Sequence, residues 1–290
     1  MQTELRRPSQ TAVLVAAARA LHLEEPPPHV LEDTLALPLA GEDARRLVEG
    51  LHSELPREAL LAFVRFICVR ARVCEDAVER GVPDGLSQYV ILGAGLDSLA
   101  YRRGDLLDSG LRVFEVDHPA SQAWKRARLD ELNVSLPASL LFAPVDFEHQ
   151  TLPEGLEAAG FDAAAPALFS WMGVTMYLSM EAIRSTLSAV AAGPLGTRIV
   201  LTYNQPRSAS TGIASQVEQA ILPLVASMGE PVITTFTPLE IEELLRVEGF
   251  GEVTHFGPDE ALQTYYRGRR DVHFAGAQRI AMGTVTRKSR

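Results

Sequence analysis

Cysteine is scarce in this sequence. The 290 residues include two cysteines, Cys68 and Cys74, in a segment whose apolar spacing predicts a helix. Because a helix turns about 100° per residue, the two side chains lie about 240° apart around the axis. They cannot form a disulfide or share a metal there. We therefore predict reduced, buried thiols in a cytoplasmic protein that holds no metal.

Excess positive charge and long apolar runs are also lacking. Lys and Arg number 27 against 37 Asp and Glu, for a net charge of −10. This balance repels a polyanion, so nucleic acid is not an expected partner. The one basic cluster, Arg267, Arg269 and Arg270, is short and is interpreted as a solvated loop. No run is long enough to span a bilayer, and no membrane association is predicted.

The N-terminal segment loosely imitates a secretory signal. Arg6 and Arg7 precede "TAVLVAAARALHL", but the apolar run is short and Arg19 interrupts it. We therefore predict an amphipathic first helix over residues 9–23. Further helices are expected over 38–51 and 56–81, so that the first 80 residues contain no strand.

From Gln88 onward, short apolar runs alternate with helical stretches. Strands are predicted at 88–92, 112–116, 139–144, 167–171 and 198–203. This alternation is typical of an α/β fold with a parallel sheet, right-handed crossovers and helices on both faces. Two late strands, near 251–256 and 278–286, would complete the sheet.

The chain is long enough for one large domain with a sizeable core. We predict a single domain over 1–290, with a helical cap and lead-in at 1–82 and an α/β core at 83–290. A lid insertion is expected near 204–236, starting with the loop "NQPRSASTG". The predicted assembly is a monomer or a homodimer.

A glycine turn follows the first predicted strand, in "YVILGAGLDSLAYR". Ligands of open α/β sheets bind beyond the carboxyl ends of the strands, and Gly93 and Gly95 lack a Cβ, so the backbone can approach a ligand there. A dinucleotide motif has Gly or Ala at the sixth position. Here Ser98 stands at that position after Asp97, whose carboxylate would repel a pyrophosphate. The turn suits an uncharged or cationic group, or is a helix cap without a cofactor.

Acidic residues follow the next two strands. Asp117 lies at the end of the second strand, where a carboxylate accepts hydrogen bonds from ribose hydroxyls, and Glu115 on the same strand face is a second candidate. After the third strand, Asp146 offers an acceptor for an adenine amine and Phe147 an apolar surface for its ring. A ribose, an adenine and no phosphate describe S-adenosyl-L-methionine, whose sulfonium favours an acidic surround.

The chain resembles the bacterial S-adenosylmethionine-dependent methyltransferases related to leucine carboxyl methyltransferase, a group that includes polyketide O-methyltransferases. Eight segments carry the resemblance in family order: "TAVLVAAARALHL", "VRARVCEDAV", "YVILGAGLDSLAYR", "VFEVDHPASQAWKRARL", "PVDFEH", "SWMGVTMYLS", "FTPLEIEELLRVEGF" and "RIAMGTVTR". The resemblance implies a class I methyltransferase (Rossmann-like) sheet of seven strands, with the last strand antiparallel, under a helical N-terminal cap. It also implies cofactor contacts at Gly93, Asp117, Asp146 and Phe147.

The resemblance further implies an arginine, on the helix before the glycine turn, that holds the cofactor carboxylate. Helix geometry places Arg70 at the edge of the apolar face and Arg72 on the far side, so Arg70 is the predicted ligand. Two positions depart from related enzymes. Leu92 stands where many methyltransferases have an acid, and Met172 stands where related carboxyl methyltransferases have a glutamate for the cofactor amino group.

We expect an O-methyltransferase that acts on a carboxyl or hydroxyl group of a small molecule or peptide, in bacterial secondary metabolism if the resemblance extends to function. A cofactor-binding sensor or scaffold and an NAD(P)-dependent oxidoreductase are the alternatives. The base candidates are His118, Tyr177, Tyr203 and His255, and none is convincing enough to be assigned. A carboxylate acceptor needs no base, so their weakness slightly favours a carboxyl acceptor.

Overall fold

The computed structural model describes residues 9–147, 149–207, 212–269, 271–274 and 277–286. The start of the chain, residues 208–211 of the "NQPRSASTG" loop and Arg270 of the basic cluster therefore lie outside the described residues. Within the described ranges, no helix is both long and apolar enough to cross a membrane.

A seven-stranded sheet forms the centre of the fold, in the order β3-β2-β1-β4-β5-β7-β6. The strands are β1 (Gln88–Leu92), β2 (Arg112–Asp117), β3 (Leu140–Pro144), β4 (Leu168–Trp171), β5 (Arg198–Asn204), β6 (Phe250–Phe256) and β7 (Gln278–Val285). β1 to β5 pair in parallel, and β7 runs antiparallel to β5 and β6. The predicted sheet and its antiparallel last strand are confirmed.

From residue 9 onward, four described helices precede the sheet: α1 (Gln10–His22), α2 (Ala36–Ala40), α3 (Glu42–Glu54) and α4 (Arg57–Gly81). Ser9 caps α1 by accepting the N–H groups of Thr11 and Ala12. The single helix expected over 38–51 is instead two, because Gly41 adopts a φ of 71° between α2 and α3. A left-handed residue ends one helix and lets the next start in a new direction.

Eight further helices follow: α5 (Leu99–Arg102), α6 (Gly104–Asp108), α7 (Pro119–Glu131), α8 (Leu152–Ala158), α9 (Met180–Ala191), α10 (Gly212–Ser227), α11 (Pro238–Glu248) and α12 (Pro258–Tyr265). Arg103 separates the short helices α5 and α6. No helix was predicted at α12. Its signal is present, since Pro258 begins the helix and Glu260 accepts the N–H of Gly257.

Apolar helix faces cover both sides of the sheet. Val90 and Leu92 of β1 face a core completed by α8, α9 and α11. Tyr89 and Ile91 face the opposite core, completed by α4, α5, α6 and α12. Alternate residues of a strand point to opposite faces, so helices on both sides explain why every residue of β1 is buried.

The long helix α4 connects the N-terminal helices to the sheet. Val69 and Val73 pack in the core against β1, whereas Leu60 and Val64 pack with Leu14 of α1 and with α10. One helix therefore contributes to two apolar cores. Cys68 and Cys74 of α4 are free and buried, and burial raises the pKa of both thiols. The predicted buried, unpaired cysteines are confirmed.

A buried ion pair attaches α7 to β2. Lys125 Nζ lies 2.7 Å from Glu115 Oε2, and the two side chains are 1% and 0% exposed. The Tyr101 hydroxyl donates to Glu115 Oε1 at 3.2 Å. The interpretation of Glu115 as a second ribose ligand is therefore wrong, because its carboxylate is enclosed and already holds an ammonium group.

We expect Lys125→Met to lower the free energy of unfolding by about 3–5 kcal/mol, because it leaves a carboxylate buried without its partner. Urea unfolding measures this loss. The double variant Glu115→Gln/Lys125→Met removes both charges and should recover part of it. A double variant that is less stable than Lys125→Met alone would contradict this account.

Candidate functional site

The glycine turn lies where the strand order reverses. From β1, the sheet continues through β2 and β3 on one side and through β4 and β5 on the other. The N–H groups of Gly93 and Ala94 both donate to the Val116 carbonyl, at 2.9 and 3.0 Å. Gly93 and Gly95 have φ of 69° and 49°, values that L side chains rarely adopt. The neighbouring strand β2 thus holds the turn at the carboxyl ends of the strands.

A cavity of about 420 Å³ opens above this turn. Its walls come from the turn itself, α1, α4, the loop after β4, and α10. The volume lies in the range of small-molecule sites. Within the described residues, no group of His, Cys, Asp and Glu side chains could hold a metal ion.

Asp117 lines the cavity at the end of β2. Its Oδ2 accepts the Gly95 N–H at 2.6 Å, and its Oδ1 accepts the His118 N–H at 2.7 Å. These bonds orient the carboxylate. Each carboxylate oxygen has two lone pairs, so Asp117 keeps the capacity to accept hydroxyl groups from a ligand.

Arg70 of α4 also lines the cavity and is 6% exposed. Its Nη1 donates to Gln278 Oε1 at 2.8 Å, and no carboxylate among the described residues lies within ion-pair distance. Burial lowers the pKa of Arg70 to about 10, so the guanidinium remains charged at neutral pH. A buried cation without a countercharge is costly unless a ligand supplies one.

Arg72 has the opposite environment, as helix geometry predicted. It lies outside the cavity lining and pairs with Asp76 at 2.6 Å and Glu79 at 3.3 Å. The structure therefore separates the two arginines into one that faces the cavity and one that is neutralised near the surface.

Gly173 belongs to the site but was not predicted. A Cβ at this position would lie 3.0 Å from both Nη1 and Nη2 of Arg70, so the guanidinium would have to shift by a few tenths of an ångström to admit it. The signal was present in "SWMGVTMYL", where a glycine lies two residues after the end of a buried strand.

Asp146 and Phe147 do not line the cavity. Asp146 lies beside the end of β2, since the Val145 N–H donates to the Asp117 carbonyl at 2.9 Å. Its Oδ2 is 3.9 Å from His118 Nε2. Phe147 is 61% exposed. Gly93, Gly95, Asp117 and Arg70 thus share one cavity, and the two residues after β3 stand at the surface next to it. Their role with adenine stays a prediction.

One of the four base candidates, Tyr177, lines the cavity. Burial raises its pKa to about 12, so its hydroxyl is protonated and donates near neutral pH. Tyr203 is fully buried on the sheet face that α11 covers, with its hydroxyl 3.3 Å from His255 Nδ1. His118 caps α7, and its Nδ1 accepts the Ala120 N–H. Neither of these histidines lines the cavity.

A buried polar network that the sequence did not reveal supports the glycine turn. Asp33, 1% exposed, accepts the Ser98 hydroxyl at 2.6 Å and lies 3.0 Å from Arg19 Nε. Arg102 lies 3.4 Å from Asp33 and 2.5 Å from Glu75. Arg19 also donates to the Leu96 carbonyl at 2.6 Å. The one visible signal was Arg19, an arginine within an apolar helix.

Asp97 gives the turn its acidic edge. The carboxylate lines the cavity, and its Oδ1 accepts the Leu99 N–H at 2.8 Å. It therefore caps the start of α5 in the place where a pyrophosphate would otherwise bind. This position supports the expectation that the turn receives a group without phosphate.

Comparison with known proteins identifies relatives over most of the chain. A family model described as leucine carboxyl methyltransferase matches residues 12–191. YktD of Bacillus subtilis, a candidate S-adenosyl-L-methionine-dependent methyltransferase, is 31% identical over 91% of this chain and 93% of its own. A Frankia alni protein of the same description is 33% identical over 66% of this chain and 67% of its own.

The fold also matches a solved structure. The crystal structure of a DUF574 family protein from Streptomyces avermitilis superposes with a TM-score of 0.61 at 15% identity, over 96% of this chain and 97% of that chain. At this identity the match supports the fold alone.

The turn yields a prediction with a matched control. In Gly93→Ala, the new Cβ would lie 2.7 Å from Val174 Cγ2, whereas at Gly110, φ 94°, nothing lies within 4 Å. Both variants incur a backbone cost of about 1–2 kcal/mol. Gly93→Ala should lose about 1–3 kcal/mol more through overpacking. Urea unfolding measures the loss of stability in both variants. Val174→Ala, combined with Gly93→Ala, should restore part of the additional loss caused by overpacking. Equal losses in the two single variants would refute the close approach.

Proposed function

The chain belongs to the leucine carboxyl methyltransferase family of S-adenosylmethionine-dependent methyltransferases, and from this membership we propose that it is an O-methyltransferase. Its proposed substrate is a carboxyl or hydroxyl group of a small molecule or peptide. We further propose a role in bacterial secondary metabolism and a cytoplasmic location, both of which rest on the resemblance given under Sequence analysis.

The buried guanidinium of Arg70 is the observation that carries the proposal. It faces the cavity without a carboxylate partner among the described residues, and Gln278 fixes its direction through a 2.8 Å hydrogen bond. The carboxylate of the methionyl part would supply the missing countercharge. A charge-assisted hydrogen bond of this kind is about twice as strong as a neutral one.

The glycine turn and Asp117 fit the nucleoside half of the cofactor. Asp117 already accepts two backbone N–H groups, and its remaining lone pairs suit ribose hydroxyls. The Gly93–Gly95 backbone approaches without side chains in the way. Asp146 and Phe147 are the proposed adenine neighbours, supported by their place two and three residues after β3 and, for Asp146, by its 3.9 Å distance from His118.

The partner of the cofactor amino group differs from that of related enzymes. Leu92 and Met172 both line the cavity, and neither can accept a hydrogen bond as a carboxylate does. We propose the Gly93 carbonyl for this role. The Asn204 side chain, which also lines the cavity and accepts from Gln278 at 3.0 Å, is a second acceptor nearby.

The cofactor, when bound, supplies a methyl group on a positively charged sulfur, which is already activated for transfer. The contribution of the protein is then alignment and the exclusion of water. Helices α1, α4 and α10 enclose the cavity with apolar side chains. This enclosure supports an enzyme that aligns its reactants within a dry chamber.

Isothermal titration with S-adenosylmethionine, S-adenosylhomocysteine and NAD tests the proposal. We expect both adenosyl compounds to bind and NAD to remain unbound, since Asp97 repels a pyrophosphate. Asp117→Ala should abolish adenosyl binding, with a circular dichroism melt to show that the variant is folded. Binding of NAD alone would overturn the proposal. Turnover on carboxylic and phenolic acceptors then distinguishes an enzyme from a sensor.

The two arginines of α4 offer a second, internally matched test. Arg70→Met should weaken S-adenosylhomocysteine binding by about 10- to 100-fold, the usual effect of losing a charged hydrogen bond of about 1.5–3 kcal/mol. Arg72→Met removes the same charge outside the cavity and should leave the affinity unchanged. Titration of both variants measures the contrast, and equal effects would remove Arg70 from the site.

A further inference from the structure

One part of the cavity lining is not used by the cofactor assignments. We call it the acceptor end and define it by Val15 of α1, Phe63 and Ile67 of α4, and Val217, Ile221 and Leu222 of α10. These side chains are all apolar. An acceptor that fills this end must therefore be largely apolar itself, since buried polar groups need partners.

Three polar side chains interrupt this apolar lining: Tyr177, Glu218 and Glu230. Among the described residues, no Arg, Lys or His lines the acceptor end. Arg19 and Arg102 are held by Asp33. Arg70, which interacts electrostatically with Tyr177 and donates to Gln278, is assigned to the cofactor carboxylate. The acceptor end is thus largely apolar and contains the carboxylate of Glu230.

Glu230 is held firmly in this position. Ser9 Oγ donates to its Oε1 at 2.6 Å, and the Thr11 hydroxyl donates to its Oε2. Its own N–H donates to the Val225 carbonyl at 3.1 Å after α10. Downstream, the N–H groups of Ile233 and Thr234 donate to the Met176 carbonyl at 2.9 and 3.2 Å. Residues at the start of α1 therefore hold the carboxylate, and the loop after β4 anchors the backbone that follows Glu230.

We propose that the acceptor end binds an uncharged, largely apolar compound through its hydroxyl group and excludes carboxylates, with Glu230 as the residue that sets this preference. The proposal rests on the proposed function, because it assigns Arg70 to the cofactor. It refines that function by choosing hydroxyl over carboxyl methylation.

The physical reason is the sign of the charge. Each oxygen of Glu230 accepts one protein hydroxyl and keeps a lone pair, which an acceptor hydroxyl can use by donating to it. A carboxylate has no proton to donate at neutral pH. It would face the like charge of Glu230 in a chamber of low dielectric, where repulsion is stronger than in water. Tyr177 can donate its hydroxyl to the oxygen of the bound alcohol or phenol.

The test uses pairs of compounds that differ in one group: 4-phenylphenol with 4-phenylbenzoate, 2-naphthol with 2-naphthoate, and 1-decanol with decanoate. Each is titrated calorimetrically into the full chain saturated with S-adenosylhomocysteine. We expect the hydroxyl member of at least one pair to bind about tenfold or more tightly than its carboxylate, a difference of about 1.4 kcal/mol.

Glu230→Gln removes the charge and keeps the size of the side chain. It should reduce the hydroxyl preference to about threefold or less, mainly through better carboxylate binding, and leave the affinity for S-adenosylhomocysteine unchanged. Glu252→Gln changes an exposed glutamate of β6 in the same way and should keep the preference. If Glu230 served folding alone, Glu230→Gln would weaken the binding of the hydroxyl compound and of its carboxylate partner equally. The ratio of the two affinities would then be the same as in the native chain.

Three outcomes overturn the proposal: carboxylates that bind as tightly as their partners, no binding by any hydroxyl compound, or an unchanged preference in Glu230→Gln. The cofactor titration distinguishes these from failure of the proposed function. If S-adenosylhomocysteine binds and the preference is absent, the acceptor assignment alone is wrong. If S-adenosylhomocysteine does not bind, the proposed function and this inference are both wrong.

Discussion

Three successive N–H groups of the glycine turn bond to the end of β2, and the site depends on this attachment. Gly93 and Ala94 donate to the Val116 carbonyl, and Gly95 donates to the Asp117 carboxylate. The bonds hold a left-handed backbone against the neighbouring strand. They leave the turn without side chains on its open side and orient the one carboxylate beside it. A ligand that meets this turn therefore finds a preorganised surface rather than a mobile loop.

The other half of the site is built by α4. This helix packs on the sheet through Val69 and Val73 and on the N-terminal helices through Leu60 and Val64. Because it is anchored in both cores, it can carry a buried guanidinium at Arg70 without exposing it to solvent. Gly173 gives the guanidinium its space, and Gln278 of β7 gives it direction. The cavity is thus enclosed by elements from both ends of the chain.

Much of this fold follows from short-range patterns. The apolar runs at 88–92 and 112–116 correspond to β1 and β2, because a strand buried on both faces needs a continuous apolar run. The break between α2 and α3 was missed. A glycine within a helical pattern can either continue the helix or end it, and the pattern does not show which of the two occurs. Helix α12 was missed although Pro258 and Glu260 mark its start, because its apolar pattern is short.

The candidate site likewise contains features that the sequence determined and features that only the tertiary structure decided. Residue types and their order along the chain determined the glycine turn, Asp117 after the second strand, and the choice of Arg70 over Arg72, because each depends on the period of one helix or the end of one strand. Glu115 shows the limit of such reasoning, since Lys125 on another element decides what its carboxylate holds. The support of the turn by Asp33 and Arg19, and the juxtaposition of Glu230 with Ser9 and Thr11, were decided by tertiary structure alone. These contacts join residues up to 221 positions apart, and no local period records which distant side chains will meet.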